Sequence, residues 1–325
     1  MKRVLTASMF AAPRAMRRWA IVNVFVNVLI VVTGGAVRLT DSGLGCPEWP
    51  QCEPGTMTPT AEMGIHGAIE FGNRLLTFVL LFVALGTLLA AYALKQRRPD
   101  LVTLGWLVLA IIPTQAIIGG ITVWSNLNPW VVGLHFLASI GCIAAATALF
   151  IRAGENYGQP RLLVPRPIWR LGQTLIGAVL LVIALGVVVT GSGPHAGDPD
   201  SPRINLDSEL LAQLHADAVW AVIGLSIAMM FALFAVKAPE LPKRAMGLFM
   251  AIVALQAVIG YVQFYTGVPE LLVGMHMLGA CLLWIAVINV TFSLRTLEAP
   301  EASPMPGAEV PAEEEAPRKT AATSP

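Results

Sequence analysis

Four of the five histidines in this sequence recur at one depth, each within about two turns of the same end of a long apolar stretch. An imidazole inside a membrane is costly without a partner, so a layer of four indicates a functional site. Paired imidazoles from facing helices of a four-helix bundle are the ligands of bis-histidine haem. Otherwise each ring is simply a polar residue bonded to a neighbouring helix. The four are His66, His135, His215 and His276.

Zinc fits these histidines less well, because they come one to a helix with no HExxH or CxxC companion. The fifth histidine, His195, falls in the loop sequence GSGPHAGD. We interpret it as an exposed loop residue without a functional role.

A carboxylate accompanies the first of these histidines, in the sequence HGAIEFGNR. His66, Glu70 and Asn73 are spaced i, i+4 and i+7 and therefore share one helix face. Glu70 has two interpretations: a proton acceptor or cation stabiliser beside a bound macrocycle, or the structural ion-pair partner of Arg74. The second half of the chain has no corresponding carboxylate.

Two of the four cysteines lie in the loop GGAVRLTDSGLGCPEWPQC, after the first apolar stretch. Cys46 and Cys52 are expected on the outer, oxidising side, where a disulfide is predicted; the alternative is two free thiols. Cys142 and Cys281 stand in apolar helical context and are interpreted as packing residues.

The composition is that of a membrane protein: 56% of the 325 residues are hydrophobic, 13% are charged, and the mean hydropathy is +0.70. A water-soluble globule is excluded. Between residues 101 and 151 there is no Asp, Glu, Lys or Arg, and a spanning helix needs only about 20 apolar residues, so this stretch holds two helices. A net charge of +1 gives nucleic-acid binding no electrostatic support.

Apolar runs separated by turn signals predict eight transmembrane helices. Eighteen of the 21 Lys and Arg residues fall on one face, so the positive-inside rule predicts a cell-membrane protein with both termini in the cytoplasm. The predicted spans are Trp19 to Val37, Met63 to Leu94, Leu101 to Val123, Trp130 to Ile151, Leu171 to Thr190, Leu210 to Val236, Ala245 to Tyr265 and Leu271 to Leu294.

The two halves of the chain are related by an internal repeat. A shared offset of 141 residues takes Gln115, Gly119 and His135 to Gln256, Gly260 and His276. Four helices to a half give both halves the same orientation, which is a parallel repeat about an axis along the membrane normal. The predicted fold is therefore an all-α integral membrane protein of two parallel-repeat four-helix bundles.

The predicted domain organisation follows from this repeat. A cytoplasmic N-terminal segment, a first half, a cytoplasmic linker, a second half and a cytoplasmic tail are expected at 1–18, 19–151, 152–170, 171–294 and 295–325. The tail is rich in Ala, Pro and Glu and is expected to be disordered.

With these residues in hand, the chain resembles the haem A synthase family over essentially all eight spans. The resemblance rests on the cysteine loop, on IEFGNR in the second span, and on the histidines of spans four, six and eight. It implies a membrane enzyme that oxidises the C8 methyl group of haem O to a formyl group, which makes haem A for cytochrome oxidase. It also implies an electron donor and membrane lipid as partners, with haem O synthase or cytochrome oxidase assembly proteins as further candidates.

The resemblance also implies roles for particular residues. A haem b cofactor would lie between His215 and His276 in the second half, and substrate haem O would bind near His135 in the first. Glu70 matches the family's glutamate of the second helix, and Cys46 and Cys52 match its loop cysteine pair.

One position departs from the family pattern: Asn73 stands where the family usually has a histidine. The repeat supports this alignment, because 62 residues separate Asn73 from His135 and 61 separate His215 from His276. His66 lies about 10 Å further out by helical rise. Either His66 substitutes as a ligand, or the substrate iron has His135 alone.

Two other functions compete with a synthase. A non-enzymatic di-haem cytochrome b would use the same four histidines, but it needs neither Glu70 nor a cysteine loop in one half only. A transporter built on parallel repeats would have helices broken in mid-membrane, for which Pro113 alone is weak support.

Overall fold

The computed structural model describes residues 13–298, and its architecture is eight long helices. All eight are long and apolar enough to cross a membrane, so the predicted all-helical membrane fold with eight spans is confirmed. They are α1 (Pro13–Leu39), α2 (Gly64–Tyr92), α3 (Pro99–Trp124), α4 (Pro129–Ala153), α5 (Arg166–Ser192), α6 (Ser208–Ala235), α7 (Glu240–Tyr265) and α8 (Glu270–Ser293).

Each set of four helices packs as a closed ring. In the first set α1 contacts α2 and α4, and α3 contacts the same two helices. In the second set α6 contacts α5 and α7, and α8 contacts the same two. The sets meet where α8 contacts α1 and α4, and where α4 contacts α5. The parallel repeat stays a prediction, which this pattern of contacts supports.

Buried polar side chains hold the helices in register. Asn23 and Asn27 of α1 are buried, and the Asn23 amide donates to the Thr87 hydroxyl of α2 at 3.2 Å. The Trp284 indole of α8 donates to the Ile140 carbonyl of α4 at 2.9 Å, which joins the two halves. Inter-helix hydrogen bonds of this kind stabilise membrane bundles because lipid cannot satisfy the same groups.

The structure adds a short two-stranded sheet to the eight helices, and its second strand occupies the first residues of the predicted tail. Gln159–Leu162 (β1) and Arg295–Glu298 (β2) pair antiparallel, and Arg161 forms a salt bridge with Glu298. The Ala, Pro and Glu residues that predicted a disordered tail come mostly after Glu298. They therefore gave no indication of the strand that follows α8. The rest of the predicted tail, 299–325, and residues 1–12 lie outside the described residues.

Loops gather at the two ends of the bundle. One end carries the connections 40–63, 125–128, 193–207 and 266–269, and we call it the disulfide end because Cys46 and Cys52 are bonded there. The opposite end carries the other connections and the two strands. Two connections meet at the disulfide end, where the Gly43 N–H donates to the Gly197 carbonyl at 2.7 Å. All the histidines named above lie toward this end.

Candidate haem-binding sites

The imidazoles of His215 on α6 and His276 on α8 face each other. Their ring centroids are 6.4 Å apart, with the ring planes at 74°. Two imidazoles bound on opposite sides of one metal, at about 2 Å from each nitrogen, place their centroids about 6 Å apart. The spacing of this pair therefore fits two axial ligands of one haem iron.

Each of these rings packs against a glycine. A Cβ added to Gly186 would stand 3.1 Å from His215 Cε1, and one added to Gly260 would stand 3.4 Å from His276 Cε1. Each ring thus packs against a glycine of the neighbouring helix. The buried Nδ1 atom of His276 has no hydrogen-bond partner within residues 13–298. A buried ring nitrogen is rarely left unpaired, so this position calls for a further polar or metal partner.

His135 repeats this arrangement in the first half. A Cβ on Gly119 of α3 would stand 3.4 Å from its Cε1, as at Gly260 and His276. Its buried Nδ1 atom also lacks a hydrogen-bond partner in the described part of the chain. The repeat seen in the sequence therefore places two histidines in the same local surroundings.

A glutamine fixes each of these histidine-bearing helices. The Gln115 amide donates to the His135 carbonyl at 3.1 Å and to the Ser139 hydroxyl at 2.5 Å. The repeat-related Gln256 is buried against Gly279, where any Cβ would overlap its amide group. The repeat had singled out both glutamines, but their contact with the histidine-bearing helices becomes visible only in the structure.

Asn73 is the residue of α2 that the predicted repeat aligns with His215. Its side-chain oxygen accepts a hydrogen bond from the Thr33 hydroxyl of α1 at 2.8 Å, and a Cβ on Gly34 would stand 3.7 Å from its amide nitrogen. Asn73 thus lies against a glycine of α1, as His215 lies against Gly186 of α5.

His66 has different neighbours. It is exposed, and its Nδ1 atom is 2.9 Å from the Ser42 hydroxyl. It lines a cavity of about 450 Å³ at the disulfide end together with the carboxylates Asp41, Glu53, Glu62 and Asp198. His135 is not among the described residues that line this cavity. Pairing of His66 with His135 on one iron therefore stays a prediction.

Glu70 is only 6% exposed, and it forms the ion pair considered from the sequence. Its Oε1 atom accepts from Arg74 Nη2 at 2.5 Å and from Arg74 Nε at 3.1 Å. Its Oε2 atom accepts from the Cys46 N–H at 2.6 Å. The pair therefore links α2 to the cysteine loop.

Arg74 extends this link along the loop. Its Nη1 atom donates to the carbonyls of Glu48 and Gln51, at 2.9 and 3.0 Å, and its Nη2 atom donates to the Cys46 carbonyl at 2.9 Å. The loop approaches α2 closely because Gly45 has no side chain: a Cβ there would stand 2.3 Å from the His66 carbonyl oxygen. The i, i+4 spacing of Glu70 and Arg74 predicted the ion pair. Nothing in the sequence indicated that Arg74 also binds the loop carbonyls.

Cys46 and Cys52 form a disulfide, which confirms the predicted pair. Both are fully buried. Cys142 and Cys281 are free and buried in the helices, where they were expected to pack.

We expect this disulfide in the isolated protein, and non-reducing peptide mapping will detect the cross-linked peptide. Replacing both loop cysteines with serine should cost about 2 kcal/mol of the free energy of unfolding, because the bridge closes a short loop. The buried thiols of Cys142 and Cys281 serve as internal controls, to be alkylated only after denaturation. Alkylation of Cys46 and Cys52 without reductant would contradict the disulfide.

His195 has contacts that its sequence context did not predict. It is half-buried, its Nε2 atom is 2.9 Å from the Val268 carbonyl, and its own carbonyl accepts from Arg38 Nε. Arg38 also donates to the Thr190 carbonyl at 2.7 Å. The predicted exposure of His195 is therefore wrong, because its ring bonds to the Val268 carbonyl and its own carbonyl helps join the two halves at the disulfide end. That it has no functional role stays a prediction.

Known proteins are similar to this chain over part of its length. The model of the family described as "Cytochrome oxidase assembly protein" matches residues 17–197. A protein named heme A synthase from Exiguobacterium sibiricum is 30% identical over 183 residues, covering 54% of this chain and 61% of that protein. Proteins of the same name from Lysinibacillus sphaericus and Geobacillus thermodenitrificans are 33% and 30% identical over 134 and 111 residues. These cover 41% and 34% of this chain, and 43% and 33% of those proteins.

This chain thus spans less than two thirds of the length of these relatives. The range matched by the family holds α1 to α5, the cysteine loop, Glu70 and His135, whereas His215 and His276 lie beyond it. The resemblance noted from the sequence is confirmed. Because the family model matches more than half of this chain's residues, the chain belongs to the family of cytochrome oxidase assembly proteins.

Proposed function

We propose that this protein is a haem A synthase, an oxidoreductase that converts the C8 methyl group of haem O to the formyl group of haem A. The observation that carries the proposal is the asymmetry between two otherwise matching halves. The second half presents the facing pair His215 and His276, whereas the first half presents His135 together with the buried Glu70 and the disulfide-bonded cysteine loop. The relatives named heme A synthase support the same reaction.

The second half is the proposed cofactor site, with haem b held by His215 and His276. Held by these two histidines, the haem would supply one-electron transfer. The chain contributes the two imidazoles from separate helices, and Gly186 and Gly260 leave the space that these rings need.

The first half is the proposed substrate site, with His135 as the ligand of haem O. Gln115 and Ser139 both donate to the His135 carbonyl and so hold the backbone of α4 at this residue. Asn73 offers no imidazole, so His135 alone would leave a coordination position free, as catalytic metal sites do. His66 is the alternative second ligand.

Glu70 is the proposed proton acceptor or cation stabiliser beside the substrate. A carboxylate has about four acceptor positions, and the bonds from Arg74 and Cys46 fill three of them. It lies one turn from Asn73, on the helix that faces the proposed substrate site. In a low-dielectric site one such group stabilises developing positive charge strongly.

The chain is a multi-pass membrane protein. We propose that its termini are cytoplasmic, so that the disulfide end faces outward, because the basic residues concentrate at the opposite end. The proposed partners are an electron donor, haem O synthase and the assembly machinery of cytochrome oxidase.

The proposed function is tested by extracting haem from membranes of cells that make haem O, with and without this chain, and identifying it by chromatography. A synthase should convert haem O to haem A only in cells that contain the chain. A di-haem cytochrome b would raise the amount of bound haem and leave its type unchanged, and that result would contradict the proposal.

A further inference from the structure

A cleft of about 820 Å³ opens at the opposite end of the bundle, far along the helices from the histidines. It lies where the two halves meet, between the ends of α3, α4, α5 and α8 and the two strands. We call it the arginine cleft. Its principal lining residues are Arg152, Arg166, Arg170, Arg295, Trp169 and Phe292.

One carboxylate lines the arginine cleft, and arginines already neutralise it. Asp100 accepts two hydrogen bonds from the buried Arg98, both at 3.0 Å, and one from Arg152 Nε at 3.2 Å. Its negative charge is therefore already paired with Arg98 and Arg152. It does not balance the remaining lining cations.

Arg295 has a free donor. Its Nη2 atom donates to Glu155 Oε2 at 3.2 Å, and its guanidinium lies 4.7 Å from the centroid of the Phe292 ring. Its Nη1 atom is buried and has no hydrogen-bond partner among residues 13–298. An unpaired buried guanidinium nitrogen is costly, so this atom favours an anionic acceptor in the cleft.

Arg166 and Arg170 add two more cations at the first turns of α5. Both are exposed, and neither forms a salt bridge with another described residue. Four arginines line the cleft, and a fifth, Arg98, pairs with its Asp100. Among residues 13–298, Asp100 and Glu155 are the carboxylates that form salt bridges with these five. The planar guanidinium group suits the bidentate binding of phosphate oxygens.

The wall of the cleft below these arginines is apolar. Trp169, Phe292, Leu104 and Ala148 continue the surface from the charged rim toward the middle of the helices. A small anion would leave this wall uncovered, whereas an amphiphile with a phosphate head and acyl chains would contact both parts. The ends of spanning helices also lie at the depth of lipid head groups.

We propose that the arginine cleft binds an anionic phospholipid, with its phosphate on the arginines and its acyl chains along the apolar wall. Basic pockets between transmembrane helices on the cytoplasmic side bind anionic head groups by the same physics, and the charge distribution assigns this end to the cytoplasm. The bound lipid would join the two halves at the end that the disulfide loop does not reach. The proposal is independent of the haem chemistry.

Full-length, delipidated protein in a neutral detergent is titrated with phosphatidylglycerol or with phosphatidylcholine. The bound lipid is measured by native mass spectrometry. We expect phosphatidylglycerol to bind at least tenfold more tightly than phosphatidylcholine. Arg166→Gln combined with Arg170→Gln should weaken phosphatidylglycerol binding roughly tenfold or more. An unchanged circular dichroism spectrum shows that this double variant is folded.

The matched control is Lys237→Gln combined with Arg244→Gln, two exposed cations at the same end but outside the cleft. It should keep the affinity for phosphatidylglycerol within about twofold, and excess inorganic phosphate should not displace the lipid. An equal loss of affinity for phosphatidylglycerol in both double variants would overturn the proposal, because the lipid would then bind without preference for the arginine cleft. Displacement by inorganic phosphate, or lipid binding only after deletion of residues 299–325, would also overturn it, by identifying a small anion or the tail as the occupant.

Discussion

His276→Ala is expected to abolish the bis-histidine haem spectrum of the purified protein. The variant removes one of two imidazoles whose centroids are 6.4 Å apart, and no other histidine of the described chain makes a ring contact with His215. With one axial ligand left, the iron loses its low-spin state and the haem loses most of its attachment. His215→Ala should have the same effect, because the two rings act on one iron. Absorption spectra of the reduced protein measure both.

His195→Ala provides the matched control. His195 lies at the same end of the bundle but bonds to the Val268 carbonyl instead of facing another imidazole. Its removal should lower stability slightly and leave the haem spectrum intact. An unaltered bis-histidine spectrum in His276→Ala would contradict the assignment of the cofactor site.

Glu70→Gln is expected to lower haem A formation by about 100-fold or more, the usual cost of losing a proton-transfer group. The amide is nearly isosteric, and its oxygen can still accept from Arg74. Its NH2 group would then face the Cys46 N–H, which costs about 1 to 3 kcal/mol of stability as an unsatisfied contact. Three quantities should be measured together: the haem A content of the membranes, the protein yield and the spectrum of the second-half haem.

Arg74→Gln separates the catalytic role of Glu70 from its role in holding the loop. It removes the donors to Glu48, Gln51 and Cys46 and leaves the Glu70 carboxylate buried without its cation. Breaking a buried ion pair costs about 3 to 5 kcal/mol, so yield should fall more in this variant than in Glu70→Gln. Normal haem A formation by a well-folded Glu70→Gln protein would end the catalytic interpretation.

The sequence predicted the spanning helices well because length and hydropathy alone decide whether a segment crosses a membrane. It placed the helix ends less well. The first helix already includes Pro13, six residues before the predicted Trp19, because Arg14, Arg17 and Arg18 continue the helix beyond its apolar part. The hydropathy of a segment does not report such polar helical turns.

The sites were predictable only where the chain repeats itself or where residues share a helix. The spacing of Glu70 and Arg74 indicates one helix face, and the offset from His135 to His276 indicates equivalent positions. Contacts between loops and helices have no such periodicity. The bonds from Arg74 to the loop carbonyls, from His66 to Ser42 and across the arginine cleft therefore required the structure.

The most direct test of this account is the type of haem extracted from purified wild-type protein and from His135→Ala, both produced in cells that make haem O. With the substrate in the first half and the resident haem in the second, we expect His135→Ala to retain haem b, to lose bound haem O and haem A, and to form no haem A in its membranes. Undiminished haem A formation by His135→Ala, or loss of haem b from it, would contradict this division between the halves.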